Sequence, residues 1–130
     1  MDLIRKGFFK EMPHGLDSDP TIKDYINHTY DRELKDRICN YLETGIPIAI
    51  CAGTVEDVID PSAGNAGVPS SYTDGAWLWP GDLVYYVKKY NLKLDEEFIN
   101  TMSNNEWTIP IREEDIDLDN LSVDGDKLFE

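Results

Sequence analysis

The chain has 130 residues, enough for one domain, and 41% of them are hydrophobic, enough for a core. Twenty-six acids against twelve bases give a net charge of -14. That balance argues against nucleic acid and anionic membrane as partners, because both present negative charge to a negative surface. No apolar run reaches membrane-spanning length, and no sustained hydrophobic stretch follows the bases of MDLIRKGFFKEMPHG, so a cytoplasmic location without a secretory leader is expected.

Near the N-terminus, Phe8 and Phe9 are expected to anchor an apolar and basic arm on the core, and Met12-Pro13-His14-Gly15 reads as a turn. Ser18 or Asp19 precedes Pro20, which predicts a short helix with Ile22, Tyr25 and Ile26 inward. The spacing of Leu34, Ile38, Tyr41 and Leu42 predicts a clearer helix from Asp31 to Glu43, stopped at Gly45. Its outer side mixes Arg32, Glu33, Lys35, Asp36 and Arg37, an ordinary solvated face. Ile46 to Cys51 reads as a strand, with Pro47 placing its beginning at an edge. Residues 61–75, PSAGNAGVPSSYTDG, form the longest expected irregular stretch.

The rest of the chain is built around TDGAWLWPGDLVYYVKKY. Thr73-Asp74-Gly75 is a turn, and Ala76 to Trp79 a strand with Trp77 and Trp79 on one face and Leu78 on the other. Asp82 is placed to cap a helix whose buried stripe is Leu83, Tyr86, Val87 and Tyr90. Asp95 caps a further helix with Phe98, Ile99 and Met102 inward, and Trp107 to Ile111 predicts a returning edge strand. The last 19 residues carry eight acids and two bases, punctuated by Ile116, Leu118, Leu121, Val123, Leu128 and Phe129. Residues 1–111 are thus expected to form a compact α+β domain with a small, mainly antiparallel sheet and about four helices. Residues 112–130 would form an acidic arm, packed in part.

RKGFFKEMPHG and TDGAWLWPGDLVYYVKKYNLKLDEEFINTM resemble a family of small, largely uncharacterised bacterial proteins. That family carries GFF(R/K)E…HG and TDG-W-WPGDL-YYV patterns. The resemblance spans roughly Arg5 to Met102 and implies a shared fold. It transfers no catalytic residue: Asn91 stands where the family pattern often has histidine. The role it suggests is that of an immunity protein in a bacterial toxin system.

Three function classes remain. An enzyme would draw on the carboxylates Glu56, Asp57, Asp60, Asp74 and Asp82 for acid–base work or a hard metal, or on Cys51 with His14 as a distant base. Turn and cap roles account for Asp74 and Asp82 more simply, packing accounts for Cys39 and Cys51, and a place at a helix boundary, beside its dipole, accounts for His28. A passive structural subunit would show a substantial apolar interface. The favoured reading is an acidic protein-binding inhibitor that neutralises a basic, nuclease-like toxin and needs no cofactor, metal or catalytic residue. Its expected partner-facing residues are Asp60, Tyr72, Asp74 and Trp77, with Asp115, Asp117 and Asp119 of the arm.

Overall fold

A computed structural model describes residues 1–49 and 53–127. The fold is α+β: a mixed sheet with three α-helices on one face. The strands are β1 (Asp2–Arg5), β2 (Ile46–Ala49), β3 (Val55–Glu56), β4 (Asn65–Gly67), β5 (Ser71–Thr73), β6 (Trp77–Pro80), β7 (Ser122–Val123) and β8 (Asp126–Lys127). The helices are α1 (Arg32–Glu43), α2 (Leu83–Tyr90) and α3 (Glu96–Asn104). Six strands make one sheet in the order β2-β5-β6-β1-β7-β8, and β3 pairs with β4 separately.

Side-chain alternation along β6 divides the core in two. Trp77 and Trp79 point into the larger cluster with Ile38, Tyr41, Leu83, Tyr86, Val87 and Phe98 from the three helices. Leu78 points the other way, into a smaller cluster with Leu3, Phe8, Ile48 and Leu121. The helices therefore cover one face of the sheet, and the C-terminal arm crosses the other. Each helix buries the stripe that its spacing predicts, with Leu34, Tyr90 and Ile99 only half-buried at the margins. Asp31 and Asp95 cap α1 and α3 by accepting from the amides of Leu34 and Phe98, at 3.1 and 2.8 Å.

Several expectations are corrected. The segment after Pro20 forms one 3-10 turn, Ile22–Asp24, instead of an α-helix, and Tyr25 is exposed. Asp19 does not cap it: its carboxylate holds the Arg5 guanidinium and the Leu16 amide. Trp107–Ile111 is not a strand. Glu106 and Trp107 have φ of 56° and 59°, and the Trp107 amide donates back to Met102 O at 2.9 Å, so the chain leaves α3 through a left-handed turn. Residues 61–75 are largely structured, holding a 3-10 turn (Pro61–Ala63), β4 and β5. The unforeseen element is β1, which lies inside the sheet, parallel to both β6 and β7. Ile50 to Ala52, the end of the expected strand with Cys51, lie outside the described residues, as do Leu128 and Phe129.

The turn at His14-Gly15 is set by close approach. A Cβ on Gly15 would stand 2.0 Å from the Phe9 carbonyl oxygen and within 2.9 Å of the Lys10 backbone. Backbone atoms have no rotamer to yield by, so Gly15→Ala is expected to cost about 1–3 kcal/mol. Thermal unfolding checks this, and an unchanged midpoint would show that the loop moves aside freely.

Candidate functional site

The seven residues expected to face a partner do not form one surface. Trp77 is 7% exposed and packs edge-on against Phe98, with the Lys6 ammonium 4.9 Å from its ring centroid. It is a core residue, not an accessible anchor. Asp74 is 2% exposed: Oδ1 accepts from the amides of Ala76 and Trp77, at 2.9 and 2.8 Å, and Oδ2 accepts from the Tyr41 hydroxyl at 2.6 Å. Its charge is spent on closing the turn between β5 and β6. Tyr72 is half-buried against Gly45 and Gly81. Asp60 is exposed and caps the 3-10 turn at Pro61, accepting from Ser62 N and Oγ at 3.1 and 2.5 Å. It belongs to the β3–β4 region, which packs with α2 on the helical face, on the opposite side of the sheet from the arm.

The arm keeps its three aspartates outward. Asp115, Asp117 and Asp119 are exposed, together with Glu113 and Glu114. Two 3-10 turns, Glu113–Asp115 and Leu118–Asn120, set their spacing. Asp115 accepts from the Arg112 amide at 2.9 Å, and Asp117 accepts from Asp119 N at 3.1 Å and Asn120 Nδ2 at 2.6 Å. Leu121 is fully buried and Ile116 half-buried in the smaller cluster. Beyond them β7 pairs with β1, the Ser122 amide donating to Met1 O at 3.0 Å and the Asp124 amide to Leu3 O at 2.7 Å. The carboxylates therefore sit on a ridge anchored midway by Ile116 and, after it, by Leu121 and β7. Among the described residues, Arg112–Glu114 at 3.3 Å is the ridge's one ion pair.

Beside the ridge, Ile46, Pro47 and Ile48 of the edge strand β2 meet Ile116, Leu118 and Glu113 around a small apolar notch of about 70 Å³. Leu118 is 43% exposed at its rim. Sequence reasoning missed this notch because nothing in the local pattern tells that residues 46–48 and 116–118 meet.

The carboxylates weighed for catalysis are dispersed. Asp57 has no exposed surface, and four donors satisfy it: the amides of Ile59 and Asp60 on Oδ1, at 2.8 and 2.9 Å, and the hydroxyls of Tyr85 and Tyr90 on Oδ2, at 2.7 and 2.5 Å. Burial pushes its pKa up, but the hydrogen bonds, led by Tyr90, outweigh burial and hold it below the usual range. The arrangement clamps the chain after β3 onto α2. Asp82 stands where a cap belongs, but its side chain makes no capping bond. Both of its oxygens are buried with no hydrogen-bond partner among the described residues, and burial pushes its pKa up to about 6. None of Asp57, Asp60, Asp74, Asp82 or His14 lines any of four well-formed clefts among the described residues. No group of three or more His, Cys, Asp or Glu among the described residues could hold a metal ion.

No family model, no curated protein and no solved structure matches this chain.

Among the described residues, no helix is long and apolar enough to cross a membrane. The free thiol of Cys39 is buried beside α2, and burial raises its pKa, which suits packing and not nucleophilic attack.

Proposed function

We propose that this protein is an acidic protein-binding inhibitor that docks on a basic partner through the ridge at residues 113–119, as an immunity protein docks on a nuclease-like toxin. One observation carries the reading: five exposed carboxylates stand on a tertiary-anchored segment, and only Glu114 among them has an ion-pair partner among the described residues. A fixed charge array loses less conformational entropy on binding than a disordered tail of the same sequence. It also steers a basic partner before contact, and a toxin that attracts phosphate needs a positive surface of the kind the ridge complements. The notch between β2 and Leu118 gives the same surface an apolar centre, which supports a docking role beyond long-range attraction.

The test is co-purification of the chain with the product of the gene beside its own, followed by binding kinetics at two salt concentrations. The variant Glu113→Lys/Asp119→Lys reverses exposed carboxylates that make no side-chain hydrogen bond or ion pair among the described residues. It is expected to slow association at low salt at least about tenfold, an effect that shrinks as salt rises. Equal association rates for variant and parent would remove the ridge from the interface.

A further inference from the structure

A second cleft differs from the acidic ridge in character. It has a volume of about 210 Å³ and is bounded by the loop that follows β1, by Tyr25, and by the stretch that leads into α3. In a chain with 26 acids and 12 bases, three of the bases line it: Arg5, Lys6 and Lys93. Two of these cations are already matched. Both terminal nitrogens of Arg5 hold Asp19 at 2.9 Å, and Lys6 Nζ holds Asp95 at 2.6 Å. Lys93 is not matched. Its side chain is exposed and makes no hydrogen bond or ion pair among the described residues.

The backbone of the same wall adds a second observation. The amide of Lys6 donates to Leu78 O at 2.8 Å and that of Lys10 to Pro20 O at 3.0 Å. Between them, the amides of Gly7, Phe8 and Phe9 have no acceptor among the described residues. Phe8 and Phe9 are buried as residues, Gly7 is half-buried, and its φ of 75° begins the run in the left-handed region. Three successive amides without an acceptor among the described residues leave donors beside the cleft for a ligand to meet. Successive amides around a left-handed residue form the kind of concavity that receives an anion.

We propose that this cleft binds a small ligand through an oxyanion, a carboxylate or a phosphate, held by the Gly7–Phe9 amides and by Lys93. The pairs Arg5–Asp19 and Lys6–Asp95 form the walls, Glu97 also reaches Lys6 Nζ at 3.5 Å, and Lys93 is the lining cation with no ion-pair partner among the described residues. The volume admits the anionic group with a short body, well below the size of a dinucleotide. Tyr25, 39% exposed, offers that body an aromatic side. This inference is independent of the ridge and its partner.

NMR amide titrations of the full chain with inorganic phosphate and, separately, with benzoate test it, each at matched ionic strength with chloride. Saturable shifts at Gly7, Phe8, Phe9 and Lys93 are expected, and the anion that saturates them assigns the class: phosphate a phosphoryl ligand, benzoate an apolar carboxylate. Lys93→Gln should weaken binding about tenfold, the worth of one charge-assisted hydrogen bond, and Lys93→Arg should retain it. Lys10→Gln, which removes an exposed base outside the cleft, should leave affinity unchanged. The proposal is overturned if neither anion saturates those amides, if Lys93→Gln binds as the parent does, or if Lys10→Gln weakens binding as much as Lys93→Gln.

Discussion

Asp74→Ala is expected to destabilise the fold by about 3–5 kcal/mol, because it strands buried donors in addition to removing hydrogen bonds. The Asp74 carboxylate takes the Ala76 and Trp77 amides and the Tyr41 hydroxyl, and Tyr41 Oη in turn accepts from Asn105 Nδ2 at 3.0 Å. One chain of contacts therefore links the β5–β6 turn to α1 and to the C-terminal cap of α3. Burial, and then the bond to Asp74, raise the Tyr41 phenol pKa, so it stays protonated as a donor. Asp74→Asn keeps an acceptor for the two amides and should cost less, about 1–3 kcal/mol. Urea unfolding of the two variants and of Tyr41→Phe, with the double variants, measures the coupling. If Asp74→Ala and Tyr41→Phe add without coupling, the buried network carries no cooperative energy.

Asp82→Asn is expected to make the protein more stable at pH 8, by up to about 3 kcal/mol, and to flatten its stability between pH 4 and 7. Asp82 is fully buried, and its folded-state pKa is raised from 3.8 to about 6. A raised pKa means that the fold prefers the protonated form. The stabilisation from neutral Asp82 is fully present below about pH 4 and is lost as pH rises through about 6. Asp57 has the opposite sign: its pKa is depressed, so its contribution is present above the usual carboxylate range and lost only in stronger acid. Subtracting the Asp82→Asn profile from that of the parent cancels Asp57 and leaves Asp82. Unfolding free energies across pH 4 to 8 provide the measurement, and parallel profiles for the two proteins would show that Asp82 does not titrate in this window.

For the candidate surface, the sequence carried the chemistry but not the grouping. The acidity of residues 113–119 is plain in the composition, and so are the apolar residues that anchor them. That Asp74 and Trp77 turn inward was legible only in part. A turn role for Asp74 follows from Asp-Gly, but burial of its second oxygen under Tyr41 depends on α1, which lies 33 positions earlier. The placing of Asp60 apart from the arm depends on which face of the sheet each segment covers, and the periodicity of neither segment contains that. The cleft at Lys93 was invisible for the same reason, since its walls come from residues 5–9 and 93–98.

Local signals by themselves determined α1, α2 and α3, the cap at Asp95, and the two-faced β6 strand. Each rests on spacing or on a side chain bonding its own neighbours, interactions that close within a few residues. Tertiary structure alone decided the role of β1. Four residues with one buried apolar side chain have no period to read, and they become a strand because β6 and β7 supply their hydrogen bonds. It also decided that Asp82 stays buried without a hydrogen-bond partner among the described residues. A cap position is legible in sequence, but whether its carboxylate meets amides depends on what packs against it.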